Sequence, residues 1–317
     1  MENIRLDIPE SFFEQENRNG YIVSSDTKML WAYELDLFAE LVRVCEKNDI
    51  SYFTSAGTTL GAVRHGGFIP WDDDIDIMMY RDQYEKLCSL SHEFKHPYFL
   101  QTCNTDIGYV TGHAQLRNSS TTGILYGHLD YRRAFNQGVF IDIFPLDEVC
   151  DDKTRSYMHE HQIYILRKEA RQIAKKTVYN GKSPYKIHEI PFLPFVSIAS
   201  CFTDYKALWN RTESLAARYN GQGNSEVSFL SWEPCNHRWR HFRSDLESVT
   251  WFDFEFLKVP VPSGYNRILT RLYGDWHRPA KASSVHGGLV FYPDVAYEKF
   301  LDCYFDDSFE LSNRNSQ

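Results

Sequence analysis

The 317-residue chain has no run of about 18 apolar residues, the length that crosses a bilayer as a helix. Its most apolar stretch, residues 190–200, is short and interrupted by Pro191 and Pro194. It reads as a core segment or as a peripheral contact with a membrane surface. Basic residues are also scarce. Lys and Arg number 34 against 43 Asp and Glu, and the net charge of −9 argues against a nucleic-acid partner, which calls for a basic excess. A nucleotide as a small ligand stays open, since a few arginines and a metal can hold a diphosphate. No CxxC pair occurs among the seven cysteines, which are scattered and odd in number, the usage of a reducing compartment. Residues 1–20 are acidic and polar and lack the apolar centre of a signal peptide. The expected location is therefore the cytoplasm, including the cytoplasmic face of the membrane. Repeats and low-complexity tracts are missing too. What is present is 43% hydrophobic and 15% aromatic residues, enough for a sizeable core.

Leu30, Trp31, Leu35, Phe38, Leu41, Val42 and Cys45 fall at helical spacing and predict a helix over 27–48. A short strand over 51–55 runs into Gly57, and a short helix over 58–64 is broken by His65, Gly66 and Gly67. Further strands are expected over 74–79, 98–102, 112–118, 138–144 and 254–259, with helices over 82–91 and 266–273. Charged, helix-favouring sequence between 153 and 220 predicts a helical insertion. The fold class is thus α+β, a mixed sheet with flanking helices. Residues 1–26 form an N-terminal extension, 27–305 a catalytic domain, and 306–317 a loose tail.

The chemistry concentrates at Asp72, Asp73, Asp74 and Asp76. In a strand, side chains alternate, so Asp72, Asp74 and Asp76 are expected on one face and Asp73 on the other. Like charges this close, in a strand otherwise built of Ile75, Ile77, Met78 and Met79, call for a positive partner. Mg²⁺ or Mn²⁺ fits, because hard cations prefer carboxylate oxygens. An exposed acidic turn after Pro70 is the plainer alternative. Upstream, Gly57 and Thr58 stand between a strand and a helix, where close backbone approach and helix-start amides suit a phosphate. A glycine-threonine turn followed by an Asp-x-Asp strand is the general arrangement of metal-dependent nucleotidyltransferase-type folds. Asp142, flanked by Ile141 and Ile143, is the candidate third carboxylate; pairing with Arg132 or Arg133 is the alternative. Cys235, His237 and His241 have ligand-like spacing, but a polar loop is the better reading.

The run from Gly57 to Ile77, read as GTTLGAVRHGGFIPWDDDIDI, resembles the signature of the LicD family. That family includes bacterial phosphocholine transferases and is similar to the fukutin and fukutin-related ribitol-phosphate transferases. The likeness extends to FIDIFPLD at 140–147, to Phe254 and Glu255 with VPVPSGY at 259–265, and to LYGDW at 272–276. It implies a nucleotidyltransferase-like fold and transfer of a phospho-alcohol from a CDP-linked donor to a hydroxyl of a glycan or lipid-linked glycan. CMP is released, in the modification of cell-surface polysaccharide, lipopolysaccharide or teichoic acid. It also implies roles: Asp74, Asp76 and Asp142 as metal ligands, and Asp72 as a further catalytic carboxylate. Gly57 and Thr58 would contact donor phosphate, with Arg64 beside the diphosphate. Arg117 and His286 would bind substrate, a surface strand end being the alternative for Arg117. Departures at Thr59, Asn266 and residues 276–279 spare every proposed ligand. A nucleotidyltransferase releasing pyrophosphate, or a non-catalytic binder of glycan or nucleotide, are the other functions such a chain could have.

Overall fold

A computed structural model describes residues 4–129, 135–178, 198, 200–279 and 288–305. Two short strands, β1 (Glu16–Arg18) and β2 (Tyr21–Val23), lead into the long helix α1 (Ser25–Lys47). Ser24 caps α1 by accepting the Thr27 amide N–H, and Asp26 lies in its first turn, where the helix dipole favours negative charge. Of the predicted apolar stripe, Leu30, Trp31, Leu35, Phe38, Leu41 and Cys45 are buried in the core and Val42 is half-buried. Each such side chain is worth about 1.5–3 kcal/mol of burial. Residues 4–23, set apart above as an extension, join this packing through Phe12 and Val23.

The sheet follows. Strand β3 (Phe53–Thr54) enters α2 (Ala56–His65), and β4 (Asp76–Tyr80) enters α3 (Arg81–Ser89). Then come β5 (Tyr98–Gln101), β6 (Ala114–Asn118), β7 (Thr122–Leu125), the short helix α4 (Tyr126–Leu129) and β8 (Val139–Val149). Strand β8 is the organiser. It pairs in parallel with β4, antiparallel with β6 along its first half, and antiparallel with β9 (Glu226–Ser228) along its second. Strands β3, β5 and β10 (His241–Phe242) extend the edges, giving seven strands of mixed direction. This is the α+β mixed sheet expected.

Helices α5 (Lys153–Thr177) and α6 (Tyr205–Ala216) pack on each other where the helical insertion was predicted. The strand expected over 254–259 is instead the turn of a hairpin, β11 (Val249–Phe254) with β12 (Leu257–Pro262). Glu255 makes the turn possible by adopting φ +55°, a left-handed conformation that sequence patterning does not announce for glutamate. Its carboxylate accepts from the Phe68 amide at 3.0 Å and from Arg18 at 2.7 Å, which offsets the local strain. Helix α7 (Tyr265–Tyr273) ends at Gly274, φ +68°. Strand β13 (Leu289–Tyr292) pairs with β7, and α8 (Tyr297–Phe305) closes the described chain. Among the described residues no helix is long and apolar enough to cross a membrane. Most of the apolar stretch 190–200, and Arg132 and Arg133, lie outside those residues.

Candidate active site

Three strands deliver the centre of the site. In the ladder, Asp76 of β4 lies opposite Asp142 of β8, and Gln115 of β6 lies opposite Asp142 on its other side. In-register residues on neighbouring strands share a face. The carboxylates of Asp76 and Asp142 therefore stand side by side, and Gln115 Nε2 donates to Asp142 Oδ1 at 2.7 Å. Asp74 completes the group: one carboxylate oxygen from each of Asp74, Asp76 and Asp142 lies within 4.8 Å of the others. A second group of the same dimension joins Asp72, Asp73 and Asp74.

That second group corrects one expectation. Asp73 does not point away from Asp72 and Asp74, because strand β4 begins only at Asp76. Residues 72–75 form no ladder, so strand alternation does not apply to them. A turn holds them instead: the Asp72 amide donates to Ile69 O at 2.9 Å, and Trp31 Nε1 donates to Asp72 O at 2.9 Å. Trp31 is itself fixed by stacking on Phe68, centroids 4.6 Å apart, worth about 0.5–1.5 kcal/mol beyond burial.

The electrostatics show how crowded the centre is. Burial first, then the charges of Asp74, Asp142, Asp72 and Asp73, push Asp76 well above the carboxylate range. Glu34, reaching in from α1, is raised in the same way by burial and then by Asp74, Asp73, Asp72 and Asp142. Its Oε2 is buried with no hydrogen-bond partner among the described residues. The Tyr273 phenol at the end of α7 is raised by burial and next by the charges of Asp76, Asp72 and Asp74. Oxygen donors alone, converging and mutually repelling, are the donor set that a hard divalent cation prefers.

Around this centre the other predicted residues take definite places. Gly57 packs against Asp72 so closely that a Cβ there would collide with its carboxylate. Thr58 Oγ1 accepts the Asp76 amide N–H at 2.8 Å, tying the start of α2 to the start of β4 and leaving its own hydrogen to donate. Arg64 is half-buried; its Nη1 donates to Trp276 O at 2.8 Å and its Nε to His65 at 2.9 Å. Burial lowers its pKa, while Tyr273 and Asp72 counteract that. The LYGDW segment thus folds back on α2.

Arg117 is not at a surface strand end or open to a substrate. It is only 2% exposed, and its guanidinium donates to Gln101 Oε1, Gln115 Oε1 and Gly138 O over the face of Phe140. Through Gln115 it orients the amide that holds Asp142. His286 lies outside the described residues. The loop carrying Cys235, His237 and His241 forms no metal cluster; among the described residues both candidate metal groups consist of aspartates.

Two participants escape motif reading. His113 Nε2 lies 3.2 Å from Asp142 Oδ1, and Gln115 is its other neighbour. With Arg117 they form the alternating series 113, 115, 117, in which Gln115 and Arg117 share one face of β6 and His113 stands just before the strand. Polar residues at every second position of a strand that also carries Ala114 and Leu116 was the signal available.

The mixed sheet, the glycine-threonine start of α2 and the converging carboxylates are the features expected above of a nucleotidyltransferase-type domain. Residues 49–183 match the domain described as LicD/FKTN/FKRP, nucleotidyltransferase domain. The chain is 26% identical over 249 residues to the lipopolysaccharide cholinephosphotransferase LicD of Haemophilus influenzae, covering 76% of this chain and 86% of that protein. An uncharacterized protein of Rickettsia prowazekii is 29% identical over 144 residues, 45% of this chain and 48% of its own. One from Rickettsia typhi is 45% identical over 60 residues, 19% of each chain. Residues 49–183 thus carry a LicD-type domain, and over 76% of its length the chain is similar to a phosphotransferase of that type.

Proposed function

We propose that the protein transfers a phospho-alcohol, phosphocholine or an alditol phosphate, from a CDP-linked donor to a hydroxyl of a cell-surface glycan such as lipopolysaccharide. The observation that carries this reading is the in-register pair Asp76 and Asp142 with Asp74 converging on it. Asp74, Asp76 and Asp142 would hold Mg²⁺ or Mn²⁺. That ion would supply positive charge to the donor diphosphate and to the charge building on the transferred phosphorus.

The rest falls to the chain. The helix-start amides after Gly57, with the Thr58 hydroxyl hydrogen, receive donor phosphate oxygens, and Arg64 offers further donors. The acceptor oxygen forms its bond to phosphorus as the bond to CMP breaks, and CMP leaves with the electron pair. Asp72, half-exposed and outside the group of Asp74, Asp76 and Asp142, takes the hydroxyl proton. His113, Gln115 and Arg117 keep Asp142 in place.

The test is a Mg²⁺-dependent screen of CDP-choline, CDP-ribitol and CDP-glycerol with lipopolysaccharide and other candidate glycans, reading CMP by chromatography. CMP release that requires both one donor and a glycan supports the assignment. Pyrophosphate from a nucleoside triphosphate, with no CMP from any CDP donor, replaces it with nucleotidyl transfer.

A further inference from the structure

Helix α5 is apolar on two sides. Its inner face, Ile163, Ala170, Ile173 and Ala174, is sealed within the clusters that α6 completes. Its outer face carries Tyr157, Met158, Tyr164 and Ile165, 49–61% exposed. These four lie within about a third of the helix circumference, with the His161 ring between them 3.9 Å from that of Tyr157, and exposed apolar side chains gathered on one side mark an interaction site. Phe202, 85% exposed, lies near the C-terminal end of α5, where Lys176 Nζ donates to Ser200 Oγ at 3.1 Å.

The charge around this stripe runs against the whole molecule. Helix α5 contains seven Lys and Arg against two Glu, in a chain of net charge −9. Arg167 and Glu160 are buried, Glu160 paired with Arg240, which leaves six basic residues of the helix against Glu169. Lys168 falls on the same side as the stripe, with Lys153 before it and Lys175 and Lys176 beyond. An apolar stripe bounded by lysines is the pattern of a helix lying in the plane of a bilayer, its apolar side in the headgroup boundary and its lysines on anionic lipid. A second copy of the chain is a poorer occupant, because a two-fold contact would bring two basic helices face to face.

We propose that the outer face of α5 docks the protein on an anionic membrane surface. The inference is independent of which alcohol is transferred, because binding is read without turnover. The test is co-sedimentation of the full chain with phosphatidylcholine vesicles, with and without phosphatidylglycerol, alongside light scattering of the free protein. Wild type should bind anionic vesicles at least about tenfold better than neutral ones, with the preference falling as salt rises. Met158→Glu with Ile165→Glu, both at exposed positions, should remove binding while the thermal midpoint and CMP release from soluble donor stay at wild-type level. Lys168→Glu with Lys175→Glu should remove the anionic preference. Equal binding to both vesicle types, or unchanged binding by either double variant, overturns the proposal. So does a wild-type dimer that the Met158 and Ile165 changes dissociate, which would give the face to a second copy.

Discussion

Arg81 and Arg117 are both buried, and they are held in opposite ways. Arg81 at the start of α3 meets Asp147 through two hydrogen bonds of 2.8 and 2.5 Å and Glu213 at 2.5 Å. Burial works against its charge, but Asp147 and Glu213 outweigh it and hold the pKa well above the ordinary arginine value. Among the described residues Arg117 has neutral acceptors only, and burial draws its pKa down to about 10 despite the nearby Tyr109 and Asp142. The first is a clamp that joins α3, β8 and α6. The second keeps a cation with no carboxylate in contact, two residues along β6 from the amide that holds Asp142. Three hydrogen bonds and the face of Phe140 offset part of the cost of burying that charge, and Gln115 links it to the site.

The comparison can be broken, and the largest effect is expected at the clamp. Arg81→Met leaves Asp147 buried without its counter-charge and should cost about 3–5 kcal/mol in urea unfolding, with specific activity of the folded fraction retained. A loss under about 1 kcal/mol would show that the clamp is dispensable. Next, Asp74→Asn or Asp76→Asn should lower turnover by about 10²–10³-fold with little change in stability, the inverse of the Arg81 result. Unimpaired CMP release would remove those residues from the site.

His241 extends the contrast to pH. Its ring is buried without hydrogen-bond partners among the described residues, and burial, with Arg271, lowers its pKa to about 4. It escapes the cost of a buried charge by staying neutral. Because the folded pKa lies below the unfolded one, stability is present above about 6.5 and is lost as pH falls toward 4. Relative to His241→Leu, wild type should lose about 3 kcal/mol across that window, measured by unfolding at a series of pH values. A constant difference between the two proteins would disprove the assignment. The smallest effect is expected at Gln115→Leu, which cuts Arg117 off from Asp142. It should weaken metal affinity or turnover by about 10–100-fold, with the thermal midpoint little changed. Equal affinity and turnover would reduce Arg117 to a packing residue.

Much of this was legible, and the failures have physical causes. Carboxylates crowded at an apolar strand are costly, so Asp74, Asp76 and Asp142 could be picked out before any fold was known, and the fold brings the three together. The orientation of Asp73 could not, because alternation is a property of a paired ladder and residues 72–75 have no ladder. Phe254 to Val259 read as one strand because nothing local reveals that Glu255 turns left-handed. Arg18 and Phe68, which make that turn worthwhile, are 237 and 187 residues away. Arg117 read as a substrate contact because exposure is the default for arginine, and only its distant acceptors overturn that. The series His113, Gln115 and Arg117 was visible, but as a strand pattern and not as a motif.

The hydrogen bond from Trp31 to Asp72 bears on how this protein should be cut. The stretch that matches the family domain, residues 49–183, carries all five aspartates of the two groups. It excludes Trp31 and Glu34 on one flank and Glu255 and Tyr273 on the other, the side chains that steady the acidic turn or crowd its charges. A fragment trimmed to that likeness would keep its carboxylates and lose the walls that aim them, so expression boundaries are better drawn from the fold than from the match.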